Sequence, residues 1–216
     1  MVEHEQDLTL HQASRLIARL RAENLGLRQE INRLTVYQQL AMRDELTGLH
    51  NRRAFEESLR REWSRSQRSL EALAVLFVDL DDFKPINDCF GHAVGDGVLR
   101  WFAQLLVRTC RAIDVVGRLG GDEFVILLPA TDRAGAEAIA GRLAHAIETA
   151  PDAPRLPTAR AVRFSWGVAA LEDDVRSPSE LLWRADDAMY RHKRRRDSAP
   201  VRSVVDSAPM RSVVAA

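Results

Sequence analysis

Two glycines followed by two acids, Gly120-Gly121-Asp122-Glu123, are the part of this 216-residue chain best suited to chemistry. The stretch lies between Val115-Val116 and the apolar run Val125-Ile126-Leu127-Leu128. Glycine takes positive φ at little steric cost, so Gly120-Gly121 predicts a tight turn and the flanks predict a β-hairpin. Asp122 and Glu123 then sit at its tip. A backbone that phosphates can approach, beside acids that hold a cation, suits nucleotide chemistry. A plain solvated turn has the same local composition, so the neighbouring segments decide.

Residues 72–80 form a nearly continuous apolar run, which predicts a strand buried on both faces. Asp79 lies near its end. A carboxylate there is costly to desolvate unless it is paired or binds a cation, whereas Asp81 and Asp82 read as solvated loop acids. If the two strands are neighbours, Asp79 and the hairpin acids converge on Mg²⁺, which favours oxygen ligands and substrate phosphates. Lys84 follows, placed to meet negative charge, and Pro85 fits a first helical position. Asn87 offers a donor and an acceptor, and Asp96 offers acceptors. The pair suits either reading a base edge or capping two helices.

Further ordered segments complete the pattern. They are Asp44-Glu45-Leu46-Thr47-Gly48-Leu49-His50-Asn51-Arg52-Arg53-Ala54-Phe55, Asp79-Leu80-Asp81-Asp82-Phe83-Lys84-Pro85-Ile86-Asn87-Asp88 and Gly91-His92-Ala93-Val94-Gly95-Asp96. Phe164-Ser165-Trp166-Gly167-Val168-Ala169 and Ala185-Asp186-Asp187-Ala188-Met189-Tyr190 come later. With the hairpin, they make residues 44–196 resemble the GGDEF domain of diguanylate cyclases, which join two GTP into cyclic di-GMP.

The resemblance implies roles position by position. Asp79 and Asp122 match the side-chain metal ligands, and the Leu80 carbonyl completes that site. Asp122 is also a candidate base, with Glu123 beside it. Asn87 and Asp96 match the guanine-reading pair, and the acid at 96 favours two guanines. Lys84 and Lys193 match lysines near the triphosphate, Phe83 belongs to the substrate-binding segment, and Gly120-Gly121 lies along the phosphates. The implied cofactor is Mg²⁺, with Mn²⁺ as a substitute, two ions per site. The implied reaction is attack of one GTP's 3′-hydroxyl on the other's α-phosphorus, repeated to close the ring.

Arg111-Ala112-Ile113-Asp114 is an RxxD with five residues before Gly120, the spacing of the family's inhibitory product site. Arginine grips a phosphate or guanine edge bidentately, and the acid accepts from guanine nitrogens. Arg142 is the expected third contact. The C-terminal end departs from the family: where a Gly-Arg-Asn turn is usual, Arg196 takes the glycine position and Asp197 the arginine position. Arg194, Arg195 and Arg196 are the candidates to replace the missing phosphate contact. A basic cluster at a helix C-terminus is also favoured by the dipole alone. A non-catalytic cyclic di-GMP receptor or a coiled-coil scaffold would not need the intact acids together with Asn87, Asp96 and Lys84.

The positioning elements follow. Alternating strands and helices predict an α/β fold, a ferredoxin-like β-α-β-β-α-β core with an extra helix on each side, resembling the palm of nucleotide polymerases. Phe55, Leu59 and Trp63 share one helix face, as do Ile139, Leu143 and Ile147, and as do Val98, Phe102 and Leu105. Ser177-Pro178-Ser179-Glu180 reads as a capping box opening the last helix. His50, His92, His145 and His192 lack metal-ligand spacing.

Residues 1–43 read as a parallel coiled-coil stalk. Leu10, Ala13, Ile17, Leu20, Asn24, Leu27, Ile31 and Leu34 alternate at three- and four-residue spacing, with Asn24 at an a position. Glu23 and Arg28 fall at g and the following e. Gly26 weakens the helix by about 1 kcal/mol. One domain holds one GTP, so such a homodimer would bring two together. Residues 197–205 and 206–214 form a tandem repeat matching at eight of nine positions, expected to add an edge strand and then a disordered tail. Basic and acidic residues balance at 31 each, so no nucleic-acid or anionic-membrane partner is expected. No apolar run reaches membrane length and no secretory signal opens the chain. With Cys89 and Cys110 showing no disulfide framework, a cytoplasmic setting is expected.

Overall fold

Strand β1 (Leu73–Leu80) is buried at every position, as a run with no polar face requires. A computed structural model describes residues 15, 19–31, 33, 41–154, 162–172 and 174–197. Helix α1 covers 19–31, and α2 (Arg52–Ser69) leads into β1. Next come α3 (Phe83–Phe90), α4 (His92–Thr109), β2 (Val115–Gly120) and β3 (Glu123–Pro129). Then α5 (Arg133–Thr149), β4 (Phe164–Ala170) and α6 (Pro178–Asp197) complete the order. The sheet runs β2-β3-β1-β4 with every pair antiparallel. This is the β-α-β-β-α-β arrangement expected from the sequence.

Alternation along β1 divides the core in two. Ala74, Leu76, Val78 and Leu80 pack with α3, α4 and α5, whereas Leu73, Val75 and Phe77 pack with α2 and α6. Phe102 of α4 meets Phe124 edge-on at 5.0 Å, beside the hairpin. Asp79 continues the set that faces α2 and α6, at the end where the β2–β3 hairpin turns.

Side chains set the helix ends. Asn51 Oδ1 accepts from the Ala54 N–H, and Asp132 Oδ1 from the Gly135 N–H at 2.8 Å. Ser177 Oγ accepts from the Glu180 N–H, as the capping box predicts. The Glu180 carboxylate reaches past Ser177 to the Arg176 N–H. Pro85 stands third in α3 and not first: Asp82, at φ 57°, is the cap, and Phe83 opens the helix as a buried side chain. A missing N–H is tolerated throughout that first turn. Asn87 and Asp96 cap neither helix; both lie within α3 and α4.

Every residue over 19–31 is exposed, including the seam residues Leu20, Leu27 and Ile31 at 55–59%. Leu10, Ala13, Ile17 and Leu34 lie outside the described residues, as does the repeat beyond Asp197. Among the described residues no helix is long and apolar enough to cross a membrane, and both cysteines are free.

Candidate functional site

The hairpin turn is held from outside by an arginine. β2 ends at Gly120, which pairs with Glu123 across a register shift, so the central turn residues are Gly121 and Asp122. The sequence reading centred the turn one residue earlier. Gly121 takes φ 52°, the left-handed region that glycine enters freely. Its carbonyl accepts from Arg118 at 2.7 and 3.0 Å. The same guanidinium grips both Asp44 carboxylate oxygens at 3.0 and 3.1 Å. Asp44 also accepts from the Thr47 N–H and hydroxyl. Burial works against the Asp44 carboxylate, but Thr47 and Arg118 outweigh it and hold its pKa below the ordinary range.

Arg118 thus joins the segment entering the domain to the turn carrying Asp122. No role was read for it in the sequence, although a cation beside a Gly-Gly turn was a signal. Its side chain is only 11% exposed and Asp44's 21%. Arg118→Ala is therefore expected to cost about 2–4 kcal/mol, because a mostly buried carboxylate loses its partner and the turn its clamp. Urea denaturation of the variant beside the parent measures this.

Four acids and three cations meet at this end of the sheet. Register puts Asp79 opposite Glu123 on β3 and opposite Ser165 on β4. The Leu80 N–H donates to the Asp122 carbonyl at 3.2 Å, locking the turn onto the end of β1. Lys193 of α6 donates to Asp79 Oδ1. Arg52 of α2 lies 3.8 Å from Glu123, and Arg196 lies 2.8 Å from Asp81. Burial pushes the Asp79 carboxyl above its ordinary range; Lys193 opposes this, and Asp122 and Asp81 reinforce it. Burial likewise raises Glu123, against Arg52 and with help from Asp186, Asp79 and Asp122. Burial disfavours the Lys193 ammonium, yet Asp79, with Asp122 and Asp81, keeps its pKa above the usual lysine value. Surplus negative charge collects there, and a cation would relieve it.

Asn87 and Phe83 of α3 lie against Gly95 where α3 crosses α4. Gly95 makes the crossing possible: a Cβ there would stand 1.9 Å from Asn87 Oδ1 and 3.2 Å from the Phe83 ring. Asp96, the next residue, lies 3.9 Å from Arg100. Lys84 is exposed on α3. A carboxamide and a carboxylate can between them meet a purine edge from both donor and acceptor sides.

The RxxD loop lies apart from these groups. Asp114 Oδ2 accepts the Arg111 backbone N–H at 2.7 Å, while Asp114 Oδ1 is buried and has no partner. Arg142 of α5 reaches the Thr109 carbonyl at 3.4 Å. Cys110 lies between: burial pushes its thiol up to about 12, Asp114 adds to this, and Arg142 opposes it. Arg111, Asp114 and Arg142 therefore share one corner of the domain.

Known proteins share the sequence pattern and the fold. The family described as "Diguanylate cyclase, GGDEF domain" matches residues 41–199. The response regulator PleD of Caulobacter vibrioides is 40% identical over 156 residues, covering 72% of this chain and 34% of PleD. The diguanylate cyclase TpbB of Pseudomonas aeruginosa is 42% identical over 180 residues, covering 82% of this chain and 38% of TpbB. The chain thus spans little more than a third of these relatives. The solved coiled coil and GGDEF domain of DgcB from Caulobacter crescentus, in complex with c-di-GMP, superposes with a TM-score of 0.73 at 26% identity. That match covers 83% of this chain and 94% of that one. The solved GGDEF domain of TpbB gives 0.65 at 40% identity, over 71% and 89%. The chain belongs to the GGDEF domain family.

Proposed function

We propose that this chain is a diguanylate cyclase, condensing two GTP into cyclic di-GMP with release of two pyrophosphates. The observation that carries this reading is the meeting of Asp79, Asp122, Glu123 and Lys193 at a glycine turn. The name of TpbB and the c-di-GMP held by DgcB support it.

The residues fit a divalent cation. Asp79, Asp122 and the Leu80 carbonyl are hard oxygen donors, and Lys193 already answers the charge of Asp79. Among the described residues no three His, Cys, Asp or Glu side chains group as a complete metal site. Mg²⁺ keeps waters and takes one or two carboxylates plus substrate phosphates, and Mn²⁺ is the expected substitute. When bound, the ion neutralises charge on the phosphates and acidifies the attacking 3′-hydroxyl.

The chain's own groups do the rest. Asn87 and Asp96 read guanine, with Phe83 and Gly95 packed beside Asn87. Lys193 and Lys84 meet the triphosphate, and Gly120 and Gly121 let it pass close to the backbone. Asp122 is the candidate proton acceptor, with Glu123 beside it. Each chain holds one GTP, so two chains must face each other, and the apolar seam of α1 supplies the means. Positioning then does most of the catalysis.

Purified chain, freed of bound nucleotide, should convert GTP with Mg²⁺ to cyclic di-GMP, identified by mass spectrometry. Failure of a well-folded dimer to do so would sink the proposal. Product inhibition through Arg111, Asp114 and Arg142 belongs to the same reading. The Asp114 carboxylate is of the type that accepts from guanine N–H groups, and the arginines suit the guanine Hoogsteen edge and phosphates. Arg111→Ala should raise the product concentration for half-inhibition about tenfold or more. A variant as sensitive as the parent would remove the loop from that role.

A further inference from the structure

The last turns of α6 are tied to β4 at successive points that lead toward the acids. Gly167 lets helix and strand touch: a Cβ there would stand 2.0 Å from the Met189 nitrogen and 2.3 Å from the Ala185 carbonyl. His192 Nδ1 then accepts the Trp166 N–H at 3.1 Å. Finally Arg196 Nη1 donates to the Phe164 carbonyl at 2.6 Å, and the same nitrogen lies 2.8 Å from Asp81 Oδ2. Asp81 Oδ1 accepts from Ser165 Oγ at 2.7 Å. Arg196 therefore clamps the end of α6 to the first residue of β4 and to the loop leaving β1. Lys193, which holds Asp79, sits one turn back on the same helix face.

We propose that Arg196 is a positioning residue for the metal and nucleotide site, acting through Asp81 and the register of α6 and not as a phosphate ligand. What the site binds rests on the cyclase reading; the clamp itself does not. Nη1 is held between the Phe164 carbonyl, to which it donates, and the Asp81 carboxylate at 2.8 Å. Phe164 pairs with Leu80 and Ser165 with Asp79, so the clamp grips the backbone directly beside the proposed metal ligands. A slip of α6 would carry the Lys193 ammonium away from Asp79 and leave that acid unbalanced.

The two roles of Arg196 predict opposite behaviour at Asp81. If Arg196 positions, Asp81→Asn releases the clamp and weakens the site as Arg196→Ala does. If Arg196 binds phosphate, Asp81→Asn frees it and binding holds or improves. A double-mutant cycle separates them. The readouts are Mn²⁺ affinity by electron paramagnetic resonance, and calorimetric binding of a GTP analogue whose α–β bridge is methylene, which cannot be condensed.

Arg196→Ala and Asp81→Asn should each weaken analogue binding roughly tenfold, with the double variant no worse than either and Arg196→Lys partly restored. Additive losses, parent-like affinity in Arg196→Ala, or undiminished affinity in Asp81→Asn would each overturn the proposal. So would a parent that binds neither probe. If Arg196→Ala does not fold, Arg196→Lys takes its place in the same cycle. A parent that binds the analogue but makes no cyclic dinucleotide would defeat the cyclase reading and leave the clamp intact.

Discussion

Asp122→Ala is expected to cut cyclic dinucleotide formation by about 10³-fold or more, roughly 4 kcal/mol of transition-state stabilisation, without unfolding the chain. Asp122 is asked to do two things in the proposed reaction, to hold the cation and to accept a proton. Glu123, the acid opposite Asp79, is already balanced by Arg52 at 3.8 Å and is expected to replace Asp122 poorly. The fold should survive for an electrostatic reason. Asp122 helps to push the Asp79 and Glu123 carboxyls upward, so without a cation its charge opposes theirs. Removing it should leave the thermal midpoint unchanged or higher in metal-free buffer, and should narrow the gain in midpoint on adding Mg²⁺. The turn keeps its clamp, because Arg118 holds the Gly121 carbonyl and not the Asp122 side chain. Turnover by mass spectrometry and melting by calorimetry, with and without Mg²⁺, test both halves. An active variant would remove Asp122 from the metal site, and an inactive but unfolded one would leave the loss unexplained by chemistry.

The sheet was legible in the sequence because its central strand has no polar face to confuse the period. The hairpin was legible too, but its centre was not. Gly120 is drawn into the ladder by Glu123, and that pairing depends on a register shift no local pattern shows. Pro85 misled in the same way: the left-handed cap at Asp82 starts the helix early so that Phe83 can be buried. Asp79 could be named from cost alone, since an acid at the end of an apolar run demands a partner. Asp81, by contrast, read as a solvated loop acid, is only 14% exposed and paired with Arg196. The partners could not be named. Lys193 stands 114 residues from Asp79, and Arg118 74 residues from Asp44. Only the fold decides such pairings. The clearest case is Arg196, grouped in the sequence with Arg194 and Arg195 as a candidate phosphate contact. Charge counting treats the three alike, whereas helical rotation sends one of them onto Asp81.

Gly95 and Gly167 teach the complementary point. Neither lies at a turn, and neither has positive φ. Each is small because something packs where its side chain would be: Asn87 against the first, the backbone of α6 against the second. One glycine shapes the proposed guanine cleft and the other sets the helix that carries Lys193.

Aspartates in place of Leu27 and Ile31 should turn the proposed dimer into monomers and cut turnover per chain by about 100-fold or more at roughly 1 µM. Both side chains are 59% exposed in the single chain, so the substitutions cost the domain's own core nothing. What they remove is a seam whose only proposed use is a second copy, in register through Asn24 and with Glu23 facing Arg28 between chains. A short tether holds its partner at an effective concentration on the order of millimolar, about 10³ above free chains at 1 µM. Without it, each productive encounter becomes bimolecular. Rate should then rise with the square of chain concentration, where the parent's rises linearly. Sedimentation and initial rates across a dilution series test this together. A dimer that persists, or a rate that stays linear, would show that the domains find each other by another surface. Asn24→Leu supplies the converse: it should raise the melting temperature of the stalk and loosen its register, since a buried polar pair specifies alignment at a cost in stability. Lower turnover from a more stable dimer would locate control in the angle between the two Asp122 turns, and not in association alone.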